Sequence, residues 1–187
     1  MKKIISLFQR NYDGDRLVRD EVVPGAEWVL AGEGTATRKW DGTCVLIEDG
    51  QMWKRYEVKK GKQPPPGFRP ANDVDPNTGK QQGWLPVGDG PDDRWYREAL
   101  ANNDCTPADY ADGTYELIGP KVQGNPEGFD HHTLVRHGAF ILDAVPRDFN
   151  GIRDYLDGDF IEGIVWHRAN GDMVKIKAKD FGLRRGA

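Results

Sequence analysis

The sequence predicts an α+β fold in which antiparallel strands dominate and helices are few and lie on the outside. Three observations carry that prediction. Gly 23 and Pro 12 make up about a fifth of the 187 residues, so turns are frequent and long helices scarce. The apolar runs are short and bounded by turn residues, which is the pattern of strands. Two pairs of such runs are separated by Asp49-Gly50 and by Asn170-Gly171, dipeptides that favour tight hairpins. The length predicts one domain spanning residues 1–187. Six Trp, six Tyr and seven Phe supply large side chains for a core, which excludes wholesale disorder.

The elements follow in order. Residues 43–48 and 51–58 form the first predicted hairpin around Asp49-Gly50. A two-residue turn there pairs Glu48 with Gln51, Val45 with Lys54 and Cys44 with Arg55. Residues 63–91 hold three consecutive prolines and several glycines, and they read as a loop-rich insertion docked through Phe68, Trp84 and Leu85. Residues 92–102 (DDRWYREALAN) are the best helix, opened by two acids that suit a helix N-terminus and apolar along Trp95, Tyr96 and Ala99. A second short helix is predicted over 150–156. Residues 161–169 and 172–178 form the second hairpin. A two-residue turn there pairs Trp166 with Lys175 and Ile164 with Lys177. Cross-strand partners share a face, so Glu162, Ile164, Trp166, Lys175 and Lys177 are expected on one side of the sheet.

Charge and cysteine usage narrow the function classes. Lys+Arg 26 against Asp+Glu 30 gives a net charge of −4, which excludes a uniformly basic nucleic-acid coat but not local basic patches. Residues 54–62 and 175–185 are two such patches, each with five cations and one acid. They suit contact with a phosphate backbone. The two cysteines, Cys44 and Cys105, form neither a CxxC pair nor a disulfide framework, which fits a reducing cytoplasm. The run after Met1-Lys2-Lys3 is too short for a signal peptide, and no apolar run is long enough to span a membrane. His131 and His132 lack a third ligand at metal-site spacing and are expected at the surface. Cys44 is expected as a small buried residue of its strand.

Lys39-Trp40-Asp41-Gly42 contains Lys-x-Asp-Gly, which alone is a charged turn as readily as a site. Four further segments follow it in order. Arg55 lies on the next hairpin. Tyr115-Glu116-Leu117-Ile118-Gly119 sets an acid among apolar strand residues. Phe140 precedes an acid by three positions. Glu162-Gly163-Ile164-Val165 and Lys175-Ile176-Lys177 close the series. This ordered set resembles the covalent nucleotidyltransferases, which include ATP-dependent DNA and RNA ligases and mRNA capping enzymes. The resemblance is greatest to the 5′–3′ RNA ligase family that has a vertebrate member. It rests there on Lys39 to Cys44, on Asp75-Pro76 with Thr78-Gly79 and Gly83 to Val87, and on Tyr115 to Gly119 with Gly124-Asn125-Pro126.

The resemblance implies a ligase adenylylation domain, with antiparallel sheets around a nucleotide cleft. It implies an enzyme that uses ATP and Mg2+ or Mn2+ to join RNA 5′-phosphate and 3′-hydroxyl ends, with a place in RNA repair. Lys39 would be the nucleophile that forms lysyl-AMP, and adenylylated RNA would follow. A lysine amine is ordinarily protonated, so neighbouring cations that lower its pKa would help it. Lys175 and Lys177 supply such charge and would also neutralise charge on the phosphate. Glu162 would hold the metal. Arg55 and Glu116 would bind the ribose or phosphate end, and Phe140 would stack on adenine. Asp41 would orient the nucleophile loop, and Gly42 would permit its tight backbone. Glu162 and Lys177 are expected to act in chemistry rather than folding. The sequence ends ten residues after Lys177, so the OB-fold domain of DNA ligases and capping enzymes is not expected. The rival readings are a DNA-nick ligase, another nucleotidyltransferase, or a non-catalytic nucleic-acid-binding module.

Overall fold

The computed structural model describes residues 4–158 and 160–184. Met1, Lys2 and Lys3, and Arg185 of the second basic patch, lie outside the described residues. The strands are β1 (Ile5–Ser6), β2 (Phe8–Arg10), β3 (Val18–Val22), β4 (Thr35–Lys39), β5 (Thr43–Glu48), β6 (Gln51–Val58), β7 (Arg69–Pro70), β8 (Gln81–Pro86), β9 (Gly113–Ile118), β10 (Thr133–Arg136), β11 (Gly163–His167) and β12 (Met173–Lys177). The α-helices are α1 (Glu27–Leu30), α2 (Arg94–Ala101) and α3 (Phe149–Asp157). The fold is mixed α+β. Its strand pairs are antiparallel except β1 with β12, and no sheet among the described residues closes into a barrel. No helix among them is long and apolar enough to cross a membrane.

The chain divides into two compact units. One is built from residues 41–137, the other from residues 4–40 and 138–184. The first unit carries a six-stranded sheet in the order β10-β9-β5-β6-β8-β7. Val45, Ile47, Tyr115 and Leu117 of this sheet form a core with Tyr96 and Ala99 of α2. The hairpin of β5 and β6 forms in the predicted register, with Val45 opposite Lys54 and Glu48 opposite Gln51. Asp49 and Gly50 both take positive φ, 51° and 67°, as the tight turn demands.

The insertion over 63–91 is not simply a loop. Gln81–Pro86 is a full strand, β8, paired with β6 from Trp53 opposite Pro86 to Val58 opposite Gln81. Its polar, glycine-containing sequence hides this. Trp84 is buried, and Gly83 lets the Phe68 ring lie where a Cβ would collide with it. Packing of one aromatic on each side thus overrides weak strand propensity.

The second unit carries a four-stranded sheet in the order β1-β12-β11-β4 and a two-stranded one, β2-β3. Ile164 and Trp166 of β11, Val174 and Ile176 of β12, and Ile152 and Leu156 of α3 share its core. Helix α3 covers the predicted segment, and the Asp148 carboxylate caps it by accepting from the Gly151 amide at 2.9 Å.

The second hairpin departs from the predicted register by one residue. Val165, not Trp166, lies opposite Lys175, and Gly163, not Ile164, lies opposite Lys177. The cause is the turn. Arg168 donates its amide to the Asp172 carbonyl at 2.9 Å, and Gly171 takes φ 90°, so three residues rather than two make the loop. A one-residue slip exchanges the faces. Ile164 and Trp166 therefore join the core, while Lys175 and Lys177 share the other face with Gly163 and Val165.

Lys39 lies opposite Gly163 on the far side of β11, so Lys39, Gly163 and Lys177 form one row across three strands. A Cβ at position 163 would collide with the Ile176 carbonyl. Gly163→Ala should therefore lose on the order of 2–4 kcal/mol of stability. Urea unfolding would check this, and an unchanged midpoint would refute it.

Candidate active site

In the second unit, sheet pairing sets two lysines on either side of a residue without a side chain. Glu162 lies just before β11, where the chain is no longer bound to strict alternation, and its carboxylate reaches both of them. Oε2 accepts from Lys39 Nζ at 2.5 Å, and Oε1 accepts from Lys177 Nζ. Lys39 Nζ also donates to the Trp40 carbonyl at 3.3 Å. The Lys177 amide donates to Asp180 at 3.1 Å, and the buried Asp180 is itself paired with Arg10, which fixes the end of β12. Glu162 is buried. Burial pushes its carboxyl up, but Lys39 and Lys177 outweigh that and hold it below the ordinary glutamate value. Glu162, Lys175 and Lys177 do gather as the sequence suggests, but by a bend before the strand rather than by a shared strand face. Glu162 also carries a structural load, because without it two ammonium groups would be left beside each other.

Phe140 belongs to this unit and follows the loop at Gly138. It is 49% exposed, with its ring edge-on to Trp40 at 6.0 Å. The Arg38 guanidinium lies 4.0 Å from the Trp40 ring centre and 6.0 Å from that of Phe140. Phe140 is thus an exposed aromatic, not a core residue.

The first unit holds Asp41, Gly42, Arg55 and Glu116. Glu116 on β9 is buried, and its carboxylate accepts from the Gly42 amide at 3.2 Å and from His137 Nε2 at 2.7 Å. The Asp41 amide donates to Glu127 at 2.8 Å. Gly42 passes so close to β9 that a Cβ would collide with the Leu117 carbonyl. The Arg55 Nε donates to Gln82 at 3.2 Å, and its guanidinium lies 4.9 Å from the Trp84 ring. Burial pulls Arg55 below its ordinary pKa.

Several sequence expectations need correction. His132 is buried rather than superficial: it stacks on Trp95 at 4.8 Å, and its Nδ1 lies 2.8 Å from Glu98. His131 is exposed as expected. Cys44 is half-buried rather than buried. Lys54, counted in the first basic patch, is paired with the buried Asp93, leaving Lys59, Lys60 and Lys62 exposed. His137 was missed. A lone histidine after β10 gives no signal in sequence, and the hydrogen bond from its amide to the Thr114 carbonyl, together with its Nδ1 contact to Thr114 Oγ1, brings it to Glu116.

Fold and site together define a mixed α+β protein with a lysine–carboxylate centre in one unit and a buried glutamate beneath a close-packed glycine in the other. The family model for RNA ligase 1 matches residues 92–186, half of the chain, and the chain belongs to that family. The match includes Glu116, Phe140, Glu162, Lys175 and Lys177, while Lys39 and Arg55 precede it. The chain is 34% identical over 85 residues to RNA ligase 1 of Pongo abelii, covering 41% of this chain and 26% of that protein. It is 27% identical over 161 residues to RNA ligase 1 of Mus musculus, covering 65% and 49%. It is 36% identical over 86 residues to RNA ligase 1 of Danio rerio, covering 41% and 26%. The chain thus spans between a quarter and a half of the length of these curated relatives.

Lys175 lies on the same sheet face, one row away from Lys39 and Lys177. Burial, then the charges of Lys177 and Lys39, pull its pKa down to about 8. An unfolded lysine titrates near 10.4, so between about 8 and 10.4 the unfolded chain binds more protons. Stability therefore rises with pH across that window, and the burden of the buried charge is full below it. Lys175→Met keeps most of the stem and removes the charge. The variant should melt a few degrees higher than the native chain below about pH 8. That advantage should vanish above about pH 10.4. Thermal unfolding over this range would check it, and an advantage independent of pH would overturn it.

Proposed function

We propose that this chain is an ATP-dependent RNA ligase that joins 5′-phosphate and 3′-hydroxyl ends through lysyl-AMP and adenylylated RNA. The observation that carries the reading is the single carboxylate of Glu162 shared by Lys39 and Lys177, residues brought together from 123 and 15 positions away. Membership of the RNA ligase 1 family supports the substrate class.

Lys39 is the nucleophile in this reading. Its ammonium first gives up a proton to solvent, the neutral Nζ attacks the α-phosphorus of ATP, the nitrogen–phosphorus bond forms, and the bond to pyrophosphate breaks. Lys175 and Lys177 offer positive charge to the phosphates, where preorganised charge counts most. Phosphate oxygens can draw the Lys177 ammonium off Glu162, and the neutral Lys39 amine turns to the phosphorus, which leaves the carboxylate to a metal ion. One carboxylate plus nucleotide phosphates is a donor set that fits Mg2+ or Mn2+. The bound ion would supply charge neutralisation to the departing pyrophosphate. Phe140, exposed on its loop, is the residue for base stacking. Glu116 and Arg55 are the residues the family resemblance gives to the ribose or phosphate end. Asp41 and Gly42 shape the loop that follows the nucleophile.

Incubation with α-labelled ATP and Mg2+, followed by denaturing electrophoresis, tests the reading. The native chain should retain label in a bond that is acid-labile and alkali-stable, as a phosphoramidate is. Lys39→Ala should retain none. Glu162→Gln should lose roughly two orders of magnitude in labelling rate, about 3 kcal/mol of barrier. Label retained by Lys39→Ala would overturn the assignment of the nucleophile.

The strand substrate should be RNA, since a 2′-hydroxyl offers a donor and an acceptor by which a protein tells the sugars apart. Exposed Lys59, Lys60 and Lys62 would hold phosphates without reading sequence, so sealing should fall with salt and vary little with sequence. Matched all-RNA, all-DNA and mixed substrates with 5′-phosphates check this. All-DNA nicks sealed as fast as RNA would favour a DNA ligase instead.

A further inference from the structure

Cys44, Glu116 and His137 lie together in the first unit, and each points one ligand atom into a common space. Those three atoms are all within 4.8 Å of one another. The sheet builds the arrangement. Cys44 on β5 sits directly opposite Glu116 on β9. Thr114, two positions earlier on the same face of β9, accepts the His137 amide with its carbonyl at 3.1 Å. Cys44 and Glu116 are therefore held in the strand ladder, and a backbone hydrogen bond ties His137, just past β10, to the same sheet. Cys44 is a reduced thiol.

We propose that these three side chains form a binding site for a thiophilic divalent cation of the Zn2+ class. A thiolate, an imidazole and a carboxylate are a donor set such ions prefer, whereas Mg2+ and Ca2+ prefer oxygen alone. Three protein ligands leave a fourth tetrahedral position for water or another ligand. Zinc–ligand bonds are about 2.0–2.3 Å, so the farthest donors must draw in by about an ångström. A half-buried thiol and a histidine at the end of its strand can make that shift.

The surroundings also supply the support a ligating histidine needs. Its Nδ1 lies 2.9 Å from Thr114 Oγ1. In the ion-free chain, Nε2 carries the hydrogen and donates it to Glu116. On binding, the Cys44 thiol releases its proton to solvent. The imidazole hydrogen moves to Nδ1, where it is donated to Thr114, and the Nε2 lone pair turns to the metal. Glu116 loses one hydrogen bond and gains a metal bond through the same oxygen. Thr114 then fixes the tautomer from behind, a role such partners commonly play.

Glu116 is also the carboxylate that the ligase reading gives to the nucleotide, so the test uses the chain without nucleotide and reads ion binding alone. The chain is stripped with chelator and titrated with Co2+. One equivalent should bind, with a thiolate-to-cobalt charge-transfer band in the near ultraviolet. Cys44→Ser should abolish the band while melting near the native temperature, and Cys105→Ser should keep it. Thr114→Val should weaken binding by about 10–100-fold. No band, a band unchanged in Cys44→Ser, or a band lost only in Cys105→Ser would overturn the proposal.

Discussion

Two ammonium groups set on strands either side of a third repel each other across a buried sheet face. In this chain a single carboxylate allows them to be there. Neighbouring strands lie about 4.8 Å apart, so Lys39 and Lys177 start some two strand spacings from one another. Gly163 between them presents no side chain, and the Glu162 carboxylate reaches both lysines from just outside the strand. Each part requires the others. A side chain at 163 would collide with the backbone of β12. A neutral residue at 162 would leave two cations in low dielectric with no counter-charge, which costs far more than an exposed pair gains. The arrangement is held by geometry on one side and charge on the other.

Lys175 shows how far that balance extends. It stands on the same face, but the two oxygens of Glu162 go to Lys39 and Lys177. Burial and two like charges therefore outweigh the attraction of Glu162 and Asp180, and its pKa is pulled down to about 8. A lysine perturbed by burial and like charge beside a carboxylate–lysine cluster makes this face a candidate functional site. Three lysines and one acid leave the cluster with an excess of positive charge.

How much of this was legible in the sequence depended on turn chemistry. Asp49-Gly50 closes a two-residue turn, so the partners of β5 and β6 could be read directly. Asn170-Gly171 looked the same but lies within a three-residue loop, and every face in that hairpin was exchanged. The lysines were still found beside Glu162, because Glu162 precedes the strand and is free of its alternation. Strand β8 was hidden by Gly83 and by polar residues, and what holds it is its ladder with β6, the burial of Trp84 and the Phe68 ring against Gly83. His137 could not be read at all. Its place depends on a backbone bond to Thr114, 23 positions away, for which a single histidine carries no pattern.

The boundary between the two units falls inside the Lys-x-Asp-Gly motif, between Trp40 and Asp41. The two halves of the motif answer to different constraints. Lys39 is held by charge, through Glu162 in its own unit. Gly42 is held by space: its backbone lies against the Leu117 carbonyl and its amide is spent on Glu116. A motif that reads as four consecutive residues is thus the end of one unit's last strand before the boundary and the beginning of the next unit's first. The four residues thus answer to two constraints at once, a charge pairing at Lys39 and a close backbone approach at Gly42.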